Sequence, residues 1–262
     1  MSTVLSDFSL LPLLFIKAPE FQMAVGLMYV LGETSFVGRA VLSTLFLAST
    51  LSWSVALYKL TSLRAAKEKN TRFVATFRQD QSPLRIYEEG IPFDGSPLFE
   101  VYKAGCEELC FQLLGTATVD KGLHSSATTN AKKISSRQIR PIVTAMEQAT
   151  VESALQLESL MTILSTAVSG APFLGLLGTV WGVMDVFAGI AVAGNVNLIA
   201  MAPGVAGALT TTVTGLLVAI PAMFAYNFLI VNIRSMIAQC ENFAAEFSSE
   251  VEHRYVVCSD LL

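Results

Sequence analysis

The hydrophobic pattern is dominated by one stretch, residues 159–233, in which Asp185 is the single side chain ordinarily charged at pH 7. Within it, two apolar runs flank the polar, flexible Gly194-Asn195-Val196-Asn197. A membrane-spanning helix needs about twenty mostly apolar residues, so the stretch predicts a membrane hairpin. Residues 40–58 form a further uncharged run, bracketed by Arg39 and Lys59, which predicts a first span. Two shorter apolar runs, 8–16 and 21–31, fall short of a span and predict helices lying on the membrane surface.

Between the spans the pattern turns polar. Leu60, Leu63, Val74 and Phe77 line one side of a helix over 59–82, which Pro83 and the Gly/Pro-rich 90–97 segment interrupt. A second helix is expected from Pro97 to about Leu114, then a Gly/Ser/Thr/Asn-rich loop over 115–130. From about Arg137, Val143, Met146, Thr150, Leu157, Met161 and Leu164 recur at spacings of three, four or seven, predicting one helix that enters the membrane unbroken. From 142 to 193 it would be about 78 Å long, over twice the ~30 Å hydrocarbon core. The third span is expected to emerge near Asn227 and continue through Ile233, Ile237 and Phe247.

The fold expected is therefore an all-α membrane protein with three transmembrane helices. Two of them, those of the second and third spans, are very long and extend beyond the bilayer. The segments are an N-terminal interfacial stretch (1–35), a first span (36–60), a helical region (61–158), a second span (159–194), a turn (195–200), a third span (201–231) and a C-terminal helix and tail (232–262). No internal repeat is visible.

Composition agrees: 53% of residues are hydrophobic, 15% are charged and the mean hydropathy is +0.56. A net charge of −4 gives no footing for nucleic acid. The distribution of cations is more informative. Thirteen of the seventeen Lys and Arg lie between positions 59 and 140, and the 194–200 turn has none. By the positive-inside rule, 59–158 is cytoplasmic, the turn faces outward and the N-terminus begins outside. The first residues lack the basic segment and cleavage site of a signal peptide, so they are expected to be retained. Cys106, Cys110, Cys240 and Cys258 then fall on the reducing side and are expected as thiols. Cys106 and Cys110 share a helix face without a second pair to complete a zinc site. The two histidines, His124 and His253, fall in an expected loop and tail, and no nucleophile–base pair or metal set emerges. Neither an enzyme, a metal nor a cofactor is expected.

Three features of the hairpin carry chemistry. Gly175, Gly178, Gly182, Asp185 and Gly189, spaced 3, 4, 3, 4, form a stripe of very small volume, and Gly204, Ala208, Thr211, Gly215, Ala219 and Ala222 form a second. Such stripes let membrane helices approach closely, either within one chain or against identical neighbours around a shared axis. Pro172, Pro203 and Pro221 are the expected kinks. Thr179 and the cluster Thr210, Thr211, Thr212 and Thr214 come next. A membrane threonine ordinarily bonds its own i−4 carbonyl, yet four within five residues cannot all face one way. Some should meet a polar lumen or a partner's polar group. Asp185 is costly in hydrocarbon, so it should face the bundle interior, pair or stay protonated. It reads either as an ion-path residue or as a protonated structural hydrogen bonder.

The run from Ala171 to Met184 (APFLGLLGTVWGVM) resembles the second-span motif of the ExbB/TolQ proteins, relatives of the flagellar stator subunit MotA. Ala202-Pro203-Gly204-Val205-Ala206, with Thr212, Gly215, Leu216, Ala219, Ile220, Pro221, Ala222 and Tyr226-Asn227, resembles the third-span motif. The likeness covers roughly 36–250 and leaves the first 35 residues aside. It implies a homo-oligomeric, pentameric ring in the inner membrane around the helices of an ExbD- or TolR-like single-span partner. The partner's membrane aspartate would take and release protons, and the work would reach the outer membrane through a TonB- or TolA-like protein. In that scheme Thr179 and Thr212 line the pore, and the turn is periplasmic. One departure stands out. The family commonly has glutamate where this chain has Gly207, and an uncharged or weakly basic polar residue where it has Asp185. Asp185 and Gly207 lie roughly 13 and 10 Å from the turn, respectively, at 1.5 Å per residue. The carboxylate has either moved from the third span to the second, or its role has been lost. A non-conducting scaffold ring is the competing reading.

Overall fold

The computed structural model of the protein describes residues 35–79, 83–114, 134–194 and 198–256. The expected surface helices over 8–16 and 21–31, the whole 115–130 loop, the centre of the turn, His124 and Cys258 lie outside these residues. Six α-helices make up the described chain: α1 (Phe36–Gln79), α2 (Arg85–Glu89), α3 (Pro97–Leu114), α4 (Ile139–Glu158), α5 (Met161–Ala193) and α6 (Leu198–Tyr255). A short 3-10 turn, Ser136–Gln138, leads into α4. The one β-bridge among the described residues joins Ile134 to Val256. Three helices, α1, α5 and α6, are long and apolar enough to cross a membrane.

Local chemistry sets the helix ends. Ser35 Oγ accepts the Gly38 N–H at 3.2 Å and opens α1. Ser96 caps α3 by accepting the Phe99 N–H at 3.3 Å, with Pro97 in the first-turn position where its missing N–H costs nothing. Ser135 and Gln138 form a capping box before α4. Gly194, at φ +66°, closes α5 by donating its N–H to Ile190 O at 3.0 Å. Pro172 lies within α5, and Pro203 and Pro221 lie within α6.

The chain divides into two compact units. One holds the chain up to Val55 and Thr162–Ala225, and so the apolar parts of α1, α5 and α6. Val41, Leu45, Ala171 and Ala219 form one small buried cluster in it. Around that cluster Phe46, Leu47, Phe173, Leu176, Leu217 and Phe224 are exposed. An outward apolar surface of this kind suits lipid or neighbouring apolar helices.

The other unit holds Ala56–Met161 and the chain from Tyr226 on. Its core is aromatic. The Phe73 ring lies 5.3 Å from that of Tyr102 and 5.5 Å from that of Phe243, at angles favourable to ring edges meeting faces. Tyr102 is fully buried; its hydroxyl donates to Pro83 O at 2.8 Å and accepts the Tyr87 N–H at 3.1 Å. Cys106, Cys110 and Cys240 are free and buried. Burial pushes the thiols of Cys110 and Cys240 up to about 11 and that of Cys106 well above its ordinary value. These thiols are held in their unreactive form.

The single long helix expected from Arg137 to Ala193 is corrected: it is two helices, broken at Ser159-Leu160. The long helices are α1, with 44 residues, and α6, with 58. Leu160 takes φ +65°, which a side chain other than glycine's rarely adopts. Lys59 caps the break. Its buried ammonium donates to Gln156 O at 3.2 Å, Leu157 O at 3.0 Å and Ser159 Oγ at 3.1 Å. All three of its hydrogens are used, on a helix C-terminus whose dipole favours a cation. The left-handed Leu160 backbone costs of order 1–2 kcal/mol. Leu160→Gly should therefore leave the thermal unfolding midpoint of the purified protein equal or higher, and Leu160→Val should lower it. Equal lowering by both would show that packing of the Leu160 side chain, not its backbone angle, governs the junction.

Candidate functional site

The two small-residue stripes meet. An added Cβ on Gly215 would lie 2.6 Å from Ala171 O and 3.2 Å from Gly175 Cα; one on Gly175 would lie 2.8 Å from Thr211 O. At Gly182 it would lie 2.7 Å from Ala208 Cβ, and at Gly204 2.6 Å from Val186 Cγ2. The contacts pair Gly175 with Gly215, Gly182 with Ala208 and Val186 with Gly204. One antiparallel register thus holds along α5 and α6, with backbone against backbone. Gly175, Gly178, Gly182, Gly204 and Gly215 all lie on this seam within one chain. Gly189 does not, since a Cβ there would meet nothing within 4 Å.

At the closest part of the seam the threonines converge. Thr210 and Thr214 bond their own i−4 carbonyls, Ala206 O at 2.9 Å and Thr210 O at 2.8 Å. Thr179 reaches its own i−4 carbonyl, Gly175 O, as well as α6, while Thr211 and Thr212 depart from that habit. Thr211, fully buried, donates to Ala208 O at 2.7 Å or across the seam to Gly175 O at 2.9 Å. Thr212 reaches Gly175 O at 3.1 Å and pairs with the Thr179 hydroxyl. Thr179 also lies 3.1 Å from Gly175 O and 3.2 Å from Ala208 O. Thr179 and Thr212 are half-buried. The close approach permitted by Gly175 and Gly178 is what lets hydroxyls of one helix reach carbonyls of the other. The sequence placed Thr211 on the small-residue stripe, but its bond across to α5 needed the register to be known.

Asp185 is exposed on α5, with no hydrogen bond or ion pair among the described residues. The seam register puts it level with Val205, two residues and about 3 Å in depth from Gly207. Gly207 is buried. The two positions share a depth but not a face.

Three apolar spans, two of them packed backbone to backbone around a knot of hydroxyls, define a multi-span helical membrane protein with a polar locus between helices. Residues 116–242 match the MotA/TolQ/ExbB proton channel family. A Tol-Pal system protein TolQ from Pseudomonas aeruginosa is 30% identical over 232 residues, 88% of this chain and 94% of the relative. A biopolymer transport protein ExbB from Xanthomonas campestris pv. campestris is 31% identical over 211 residues, 79% of each. Over a shorter stretch, 83 residues, an ExbB from Salmonella typhimurium is 46% identical, covering 32% of this chain and 34% of the relative. The chain belongs to the MotA/TolQ/ExbB proton channel family.

The seam makes a steric prediction. Gly215→Ala drives a methyl into the Ala171 carbonyl and should destabilise by about 1–3 kcal/mol, the usual cost of overpacking. Gly189→Ala enters open space and should be neutral or stabilising by up to about 1 kcal/mol through helix propensity. Thermal unfolding of the two variants in detergent checks this, and a reversed order would refute the seam.

Proposed function

We propose that this chain is an inner-membrane proton-channel and stator subunit of an ExbB–ExbD or TolQ–TolR type motor. It couples the proton motive force to work on the outer membrane, either TonB-dependent import or Tol-Pal envelope maintenance. The observation that carries this reading is the half-buried Thr179–Thr212 hydroxyl pair, set between otherwise apolar helices. Membership of the proton channel family and likeness to both TolQ and ExbB relatives support it.

In this reading several copies, a pentamer by resemblance, form a ring with Thr179 and Thr212 toward a central lumen. A single-span partner threads that lumen and presents a membrane aspartate to the hydroxyls. A hydroxyl both donates and accepts, so the pair can hold the partner's carboxyl in either protonation state. The chain's N-terminus is periplasmic and the cation-rich 61–158 region cytoplasmic. A TonB- or TolA-like protein takes up the motion.

Asp185 is the chain's own acidic residue on this path. An exposed, unpartnered carboxylate on an apolar helix is costly against lipid. The ring must therefore cover it with a neighbouring copy or with the partner's helix. Its depth matches that of Gly207, so it takes over the role of the family's glutamate from a different face.

The test uses liposomes holding the assembled complex of this chain with its single-span partner. Proton flux should be present and should vanish when the partner's membrane aspartate becomes asparagine. Asp185→Asn should lower coupled activity about tenfold or more, the scale of a lost proton-transfer group. Full coupled activity with Asp185→Asn would reject its role. A verified complex that stays silent even after truncation of the partner's periplasmic segment would establish the scaffold reading, which Gly207 favours, over a plugged channel.

A further inference from the structure

Thr211 is the one member of the threonine cluster that is fully buried, and its hydroxyl occupies the carbonyl that Thr212 would use by default. A membrane threonine ordinarily bonds the carbonyl four residues back. For Thr212 that group is Ala208 O. A carbonyl oxygen has two lone pairs. Ala208 O already serves the helix N–H of residue 212, is the shorter of the two contacts of the Thr211 hydroxyl at 2.7 Å, and lies 3.2 Å from Thr179 Oγ1. The Thr212 hydroxyl makes no bond to this crowded carbonyl; it turns across the seam and pairs with the Thr179 hydroxyl, with Gly175 O, which Thr211 and Thr179 also approach, at 3.1 Å. Thr210 and Thr214 have no such competitor and keep their i−4 bonds.

We infer that Thr211 is a positioning residue for the channel. By claiming Ala208 O, it aims Thr212 at Thr179 and so creates the paired hydroxyls. It touches neither lumen nor partner, since it is buried against Gly178, where an added Cβ would lie 2.6 Å from Thr211 Oγ1. The inference rests on the proton-path reading for its functional consequence, but not for its geometry.

The experiment therefore has two readouts on the full-length chain. The first is a thermal double-mutant cycle of Thr179→Val and Thr212→Val, made with Thr211 intact, with Thr211→Val and with Thr211→Ser. The shifts should be non-additive with Thr211 intact and with Thr211→Ser, which keeps the hydroxyl. They should become additive with Thr211→Val, because Thr212 returns to Ala208 O. Persistence of the coupling with Thr211→Val overturns the inference. If Thr211→Val does not assemble, Thr211→Ala removes the hydroxyl without keeping the branched volume and reads the same cycle.

The second readout is proton flux in the assembled complex. Thr211→Val should lower flux to the level of Thr212→Val, by about two- to tenfold, the worth of one net hydrogen bond. Adding Thr212→Val should lower it no further, and Thr211→Ser should restore it. Flux that Thr212→Val reduces but Thr211→Val leaves unchanged also overturns the inference. If the cycle behaves as expected while Thr212→Val itself leaves flux untouched, the positioning role stands and the proton-path reading fails.

Discussion

The contact between the α5 and α6 backbones is the constraint on which the membrane unit depends. Lipid offers no hydrophobic drive to bring helices together, so packing must supply it. Packing at this distance tolerates almost no side chain: Gly175 and Gly215 leave the helices close enough that a methyl would collide with a carbonyl. An interhelical hydrogen bond in a membrane contributes only about 0.6 kcal/mol on average. The threonine bonds therefore do not hold the seam shut. The glycines do, and the short distance they create places hydroxyls of α6 on carbonyls of α5.

A second constraint works in the aromatic unit. The ammonium of Lys59 gathers the last carbonyls of α4 and holds the chain in a break with neither glycine nor proline at it. A buried cation without a carboxylate partner among the described residues is tolerable here because all its hydrogens are taken and the helix end carries partial negative charge. The densely packed rings around Phe73 anchor the α1 segment that bears Lys59. The last carbonyls of α4 are thus satisfied by a side chain on α1.

The three spans, the helix beginning at Pro97, and the Gly175–Gly178–Gly182 stripe were legible in the sequence because each follows from composition and period alone. The break at Leu160 was not. Apolar spacing from Val143 to Leu164 is continuous across it, and the residue that caps it lies 97 positions away from Gln156. The same limit applied to the threonines. Their number in α6 signalled that some must leave the i−4 habit, but which ones depended on the register against α5. Gly189 shows the converse: it keeps the stripe's spacing yet has no neighbour to meet, because the seam does not reach it. For Asp185 the sequence could say that a charge sits in an apolar helix. The face it occupies, distinct from that of Gly207, came only from the fold.

If the Thr179 hydroxyl, and not merely the shape around it, holds the partner's carboxyl for proton transfer, removing that hydroxyl should stop conduction. Proton flux in liposomes with Thr179→Val set against Thr179→Ser tests this most directly. Valine preserves the branched shape without a hydroxyl, while serine preserves the hydroxyl with less volume. Thr179→Ser should conduct and Thr179→Val should not, in complexes shown to be equally assembled. Undiminished flux with Thr179→Val would contradict that role.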